Sequence, residues 1–145
     1  MQQNLDKLQF RVWDKGSSNV KAQMIYCSGF SVLDGNIIRL YDEYGHIIDS
    51  CCATIQNLMQ STGLKDKNGK LVFEGDVVQE KYENHLGNIE YENHLVIFKN
   101  SCFQFAIQGD LDNLEIMCSM KEQEDENLDV EIIGNIYEHS FLLDK

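Results

Sequence analysis

The sequence predicts a mainly β protein, a sandwich or small barrel of short antiparallel strands with one or two short helices. Short runs of alternating apolar and polar residues recur along the chain, which is the period of a strand with one buried face. Turn signals built on Gly, Asn and Asp separate these runs about every 8 to 12 residues. The 145 residues contain no proline and are enough to bury the core of one domain.

A single domain over residues 1–145 is expected, with an N-terminal β part at about 8–56. In its first strand, Leu8, Phe10 and Val12 share one face. Further strands are expected over 21–27, 36–41 and 46–49, and the Asp34-Gly35 pair is a hairpin candidate. Residues 50–56 fit either a strand or a short helical turn.

A central hairpin is predicted over residues 58–78. Its turn is Asn68-Gly69, because both residue types tolerate the positive φ that other residues avoid. Gly63 is a further turn position. Gly75 and Asp76 form a second bend, where the missing Cβ of glycine lets the chain change direction.

The C-terminal β part, residues 79–143, continues with short strands. Segments 94–99 and 102–107 are expected to pair across Asn100-Ser101, and strand 130–134 ends in a turn at Gly134 and Asn135. Residues 112–123 have helical spacing, with Asp112 available as N-cap. The acidic run 122–126 is either a solvated loop or a binding feature.

The charge balance argues against a protein that binds the phosphate backbone of nucleic acid. The chain has 12 basic and 24 acidic side chains, a formal net charge of −12. Backbone binding needs clustered Lys and Arg. Acidic surfaces mostly reflect solubility, although a nucleic-acid mimic has the same composition. Neither a membrane-spanning run of about 20 apolar residues nor a secretory signal is recognisable, so a cytoplasmic location is expected.

The cysteines and histidines show no spacing typical of a metal site, so neither a metal nor a cofactor is expected. The cysteine positions are Cys27, Cys51, Cys52, Cys102 and Cys118. Neighbours such as Cys51 and Cys52 point to opposite sides of an extended segment. Buried, reduced thiols that pack as small apolar groups are therefore expected.

No enzyme is expected, because each candidate for catalysis has a simpler structural interpretation. Ser61 and Thr62 lie next to a glycine without the strand-turn-helix pattern of a nucleophile. The carboxylates of Asp66, Glu74 and Asp76 are able to bind a divalent cation, but acidic residues in tight turns usually accept bonds from their own backbone.

Two groups of residues are candidates for contact with a partner. The first is basic and aromatic and consists of Arg11, Trp13, Lys15, Lys65, Lys67 and Lys70. It would suit a nucleic-acid backbone or an acidic protein, unless Trp13 fills the core and Arg11 pairs with a carboxylate. The second is a near-repeat of five residues, which places Tyr82 and His85 in one copy and Tyr91 and His94 in the other. Such segments form either an interacting strand edge or a solvated hairpin.

Three segments together resemble the YopX family, proteins of unknown function from bacteriophages and prophages. The first is Phe10-Arg11-Val12-Trp13-Asp14 with Met24-Ile25-Tyr26, and the second comprises residues 60–70 and 73–78. The third is Glu131-Ile132-Ile133-Gly134-Asn135-Ile136-Tyr137-Glu138. Their order and spacing cover residues 8–143. Residues 82–94 and the acidic run 122–126 depart from the family pattern.

The resemblance implies a β-rich, barrel-like fold, a phage or prophage origin and a ring-like homo-oligomer, but no reaction. The leading expectation is a non-enzymatic accessory protein that acts through protein–protein contacts as a homo-oligomer, with a host protein as a further partner. The alternative is a small nucleic-acid-associated module, or an acidic mimic that inhibits a host protein.

Overall fold

Strands dominate the computed structural model of the chain, which describes residues 8–116 and 127–144. The prediction of a mainly β protein is confirmed. The helical elements among the described residues are two short 3₁₀ turns, Ile55–Asn57 and Ser140–Leu143. No helix in these two ranges is long and apolar enough to cross a bilayer. The chain divides into two compact units, Met1–Ser61 and Thr62–Lys145.

The first unit contains two antiparallel arrangements of strands. Its strands are β1 (Phe10–Asp14), β2 (Gln23–Cys27), β3 (Gly29–Asp34), β4 (Ile37–Tyr41) and β5 (Ile47–Ile48), followed by the start of β6 (Leu58–Lys65). β1 pairs with β2 and with residues 58–60 of β6, while β3, β4 and β5 form a separate sheet. The alternating pattern of β1 and β4 buries Val12, Ile38 and Leu40 in one core.

The second unit is built around a five-stranded antiparallel sheet. The strands of this unit, within and outside that sheet, are the rest of β6, β7 (Leu71–Phe73), β8 (Asp76–Glu83), β9 (Ile89–Lys99), β10 (Cys102–Ile107), β11 (Leu114–Ile116) and β12 (Val130–Asn135). The order in the sheet is β11-β10-β9-β8-β12. Val78, Val96 and Phe105 are fully buried and form the centre of its core.

Three five-residue loops share one construction. In each, the side chain of the first residue accepts backbone N–H bonds from the third and fifth residues, and the fourth is a glycine with positive φ. The loops begin at Asp42, Asp66 and Asn84. In the Asp66 loop, Gly69 has positive φ but Asn68 does not. The expectation that the turn uses positive φ at both residues is therefore wrong for Asn68. Two consecutive positive φ values occur instead at Asn100 and Ser101, where β9 and β10 pair as predicted.

The structure corrects several assignments made from the sequence. β3 was not expected, and β9 begins at Ile89, five residues before the predicted segment 94–99. Residues 114–116 of the expected helix pair with β10 as β11, because so short a segment is compatible with a sheet edge as well as with a helix. The rest of that segment and the acidic run 122–126 lie outside the described residues.

The predicted turn glycines differ in conformation. Gly63 and Gly75 have positive φ, at 75° and 86°. Gly134 lies within β12 at a register shift, and a Cβ there would meet the His139 ring at 2.7 Å. The following Asn135 does form a turn, in which its Oδ1 accepts the backbone N–H groups of residues 137 and 138.

Candidate interaction surface

The paired ends of β8 and β9 form a two-stranded hairpin arm, residues 81–91. Lys81 pairs with Tyr91 and Glu83 with Ile89, and the Asn84 loop joins the strands. β12 pairs with β8 only as far as Glu80, and β10 pairs with β9 only from residue 94 onward. Within the described ranges, no further strand therefore pairs with the outer edges of the arm.

The two faces of the arm differ in character. Cross-strand pairing places Lys81, Glu83, Ile89 and Tyr91 on one face, where Ile89 is 52% and Tyr91 60% exposed. Leu86, 73% exposed, lies in the loop at the tip. One face and the tip therefore present apolar surface to solvent. The opposite face carries Tyr82 and Glu90, and the Glu80 and Glu92 pair continues this face at the base of the arm.

Hydrogen bonds to Glu90 link the two strands of the arm to each other and to the loop between them. The Tyr82 hydroxyl donates to Glu90 Oε2 at 2.7 Å, and Asn84 Nδ2 donates to Glu90 Oε1 at 2.7 Å. These two bonds hold the pKa of Glu90 below its usual value. The same bond to Glu90, with the negative charges of Glu90 and Glu92, raises the pKa of Tyr82 to about 12.

We expect Tyr82 to titrate with a pKa of about 12 in the folded protein. Its neutral phenol donates to Glu90, so this stabilisation is present below the unfolded pKa of about 10 and is lost as the pH rises through the folded value. Glu90→Gln removes the negative charge and lowers the pKa of Tyr82. NMR of labelled tyrosine side chains, assigned with Tyr82→Phe, measures both. Titration of Tyr82 near pH 10 in the folded protein would contradict the assignment.

At the base of the arm, His94 lies against two glutamates. Its Nε2 is 2.9 Å from Glu80 Oε2 and 3.8 Å from Glu92 Oε2, and the ring is fully buried. Its Nδ1 accepts the backbone N–H of Gln108 at 3.2 Å, which fixes the ring proton of the neutral tautomer on Nε2. A metal at Nε2 would need the lone pair that this proton occupies, so the group fits a histidine–glutamate hydrogen bond better than a metal.

The residues of the predicted basic and aromatic group differ in their exposure to solvent. Arg11 is only 4% exposed, on an inner strand of its sheet. Trp13 is half-buried, and its carbonyl accepts a bond from Asn57. Lys65 and Lys67 are exposed, and Lys67 Nζ lies 3.6 Å from Glu131 Oε2. Placing Arg11 on an interaction surface is therefore wrong.

The residues of the Tyr-Glu-Asn-His-Leu near-repeat also differ in their exposure to solvent. Tyr82, His85 and Tyr91 are exposed on the arm, whereas His94 is buried. Residues 94–98 are also not an edge, because β10 pairs along this whole segment. Two similar sequences thus occupy different environments, and His94 is corrected from an interaction residue to a core residue.

The polar residues weighed for catalysis bond to the backbone. Asp66 accepts N–H groups of its own loop, and Asp76 Oδ2 accepts the N–H of Phe73 at 2.8 Å. Thr62 Oγ1 donates to the carbonyl of Val72 at 2.8 Å. These contacts fix strands and turns, as the simpler interpretation of the sequence expects.

The sequence does not predict a group of polar residues in the first unit, which consists of Asp14, Cys51 and Cys52. The buried Asp14 carboxylate accepts the backbone N–H groups of Cys51 at 2.6 Å and Cys52 at 3.1 Å. Cys51 is exposed and Cys52 half-buried, which corrects the expectation of buried thiols on opposite sides. The hydrogen bond to Cys51 and partial burial raise the pKa of the Cys52 thiol. No local sequence motif could have indicated this group, because Asp14 and Cys51 are 37 residues apart in the chain.

Comparison with known proteins places this antiparallel β chain in a family. It belongs to the YopX family, because the family model described as YopX protein matches residues 9–144. The predicted resemblance is thereby confirmed. Among solved structures, the chain is similar to protein EF1440 from Enterococcus faecalis, with 23% identity and a TM-score of 0.51 over 94% of this chain and 98% of that one. This likeness shows the fold alone. No curated protein matches the chain.

Proposed function

We propose that this YopX-family chain is a non-enzymatic accessory protein of phage or prophage origin that acts in the bacterial cytoplasm through protein–protein contacts. Its partner is a second copy of the same chain, and the hairpin arm makes the contact. The observation that carries the proposal is the arm itself, whose outer edges and exposed apolar side chains are suited to strand pairing.

Side-chain chemistry on the arm supports pairing between copies. Lys81 and Glu83 lie on the same face as Ile89 and Tyr91, so an antiparallel partner copy is able to pair opposite charges beside apolar contacts. The bonds from Tyr82 and Asn84 to Glu90 order the arm before it meets a partner, which lowers the entropy cost of association. A basic nucleic-acid patch has less support, since Arg11 is buried and Lys67 is close to Glu131.

Self-association is tested by light scattering on a sizing column at micromolar concentration. We expect a mass that is a multiple of 16.7 kDa. Because the net charge of −12 makes like subunits repel, assembly strengthens from low to moderate ionic strength as screening rises. Ile89→Lys places a charge on the arm and is expected to give the monomer mass.

Leu111→Lys is the matched control, because Leu111 lies in the same unit and is 54% exposed, compared with 52% for Ile89. This variant retains the oligomer if the arm makes the contact. A wild-type mass near 16.7 kDa at both ionic strengths would remove the homo-oligomer and leave the arm as a solvated hairpin. Equal loss of assembly in both variants would show that the arm does not specifically make the contact.

A further inference from the structure

Cys51 and Cys52 form a close pair of thiols at the surface of the first unit. Their Sγ atoms are 3.5 Å apart, and Cys52 Sγ also lies 3.3 Å from the carbonyl oxygen of Gly16. Both backbone N–H groups of the pair point at the Asp14 carboxylate, so the segment bends instead of extending. This bend brings the two side chains together.

The separation of the sulfur atoms suits chelation better than a disulfide. Two thiolates that each lie about 2.3 Å from one tetrahedral ion are about 3.8 Å apart. A disulfide needs about 2.05 Å and strains the peptide between neighbouring cysteines. The observed 3.5 Å therefore needs little movement for an ion to bind, but a large one for a disulfide.

Asp14 supplies negative charge and a further ligand atom at the same place. Its carboxylate and the two sulfurs offer ligand atoms within 4.8 Å of one another. The bonds from Gly16, Cys51 and Cys52 use three of the roughly four acceptor positions of a carboxylate, which leaves one for a cation.

From this geometry we infer that Cys51 and Cys52, supported by Asp14, bind a soft divalent cation of the Zn²⁺ or Cd²⁺ type. Thiolate ligands select such ions over Mg²⁺ and Ca²⁺, which prefer oxygen. On binding, each S–H bond breaks, its proton passes to solvent and an S–metal bond forms, with no change in oxidation state.

The site is an exchangeable one, distinct from a metal centre on which folding depends. Structural zinc sites are closed by four protein ligands, whereas this group supplies three and leaves a position open. A cavity of about 470 Å³ adjoins the thiols, and its wall includes Ile37, Ile47 and Thr54. Its largely apolar side chains disfavour a strongly hydrated ion and leave room for a small co-ligand.

Cadmium is the probe for the test, because two thiolates give it a characteristic charge-transfer absorption. Titration of the reduced full-length protein without oxygen is expected to saturate at one Cd²⁺ per chain. Cys51→Ser and Cys52→Ser each weaken the affinity more than about tenfold and reduce the absorption per ion by about half. Cys51 is exposed, so its replacement removes a ligand without opening a cavity.

Cys102→Ser is the control, because Cys102 is a half-buried thiol of the other unit. It is expected to leave both the affinity and the absorption unchanged. Circular dichroism of each variant checks that the fold is retained. Unchanged binding in Cys51→Ser and Cys52→Ser, or the absence of thiolate absorption in the wild type, would overturn the inference.

Discussion

Asp66→Ala is expected to lower the free energy of unfolding by about 3 kcal/mol or more. Asp66 is 1% exposed and accepts three backbone N–H groups, from Asn68, Lys70 and Ile132. The first two bonds build the loop, and the third joins the loop to β12. Removal of the carboxylate leaves these donors without their acceptor in a place that water reaches poorly. Urea unfolding followed by circular dichroism measures the loss.

Asn84→Ala is the matched control, because Asn84 begins a loop of the same construction in the same unit, but in the exposed arm. Water replaces its bonds, so we expect a loss of about 1 kcal/mol or less. Asp66→Asn keeps an oxygen for the loop but replaces the other acceptor with an NH₂ group, and is expected to fall between the two. Equal losses in Asp66→Ala and Asn84→Ala would show that the bond to β12 contributes little.

Gly75→Val is expected to lower the free energy of unfolding by roughly 2 to 4 kcal/mol. Gly75 is buried and has a φ of 86°, a region that a β-branched residue avoids. The backbone cannot relax freely, because its N–H donates to Val96 at 2.8 Å and its carbonyl accepts from Ile136 at 2.8 Å. A bulky side chain at this position therefore strains the backbone or breaks one of these bonds. The urea midpoint gives the effect.

Gly29→Val introduces the same side chain where φ is not positive and where a Cβ meets nothing within 4 Å. This substitution, and Ser17→Ala in an exposed turn, are each expected to change stability by less than about 0.5 kcal/mol. A urea midpoint for Gly75→Val equal to those of the controls would contradict the role assigned to this bend.

Local patterns were sufficient for most of the fold. The alternation in β1 and β4 predicts which side chains enter a core, and the loop glycines mark the ends of strands. The absence of a glycine at Asn100 and Ser101 did not prevent a tight hairpin, because the long paired strands on both sides impose it. Residues 114–116 were misassigned for a related reason, since a neighbouring strand decides the outcome for a short apolar segment.

Sequence spacing contained much less information about the candidate sites. Asp14 and Cys51 meet only through folding across 37 residues, so no local pattern marks them. Arg11 and His94 are polar and therefore suggested a surface, but both are buried. For His94 the burial is compensated by bonds from Gln108 and to Glu80, which only the tertiary structure supplies.

The shared construction of the five-residue loops has an evolutionary consequence. The first residue and the glycine define each loop, and the two positions between them do not enter its bonding pattern through their side chains. In the arm these positions are His85 and Leu86, which lie at the exposed tip. Selection is thus free to alter the tip while the strand register is preserved. Divergent copies of this protein are able to change the chemistry of the exposed tip without first having to change how they fold.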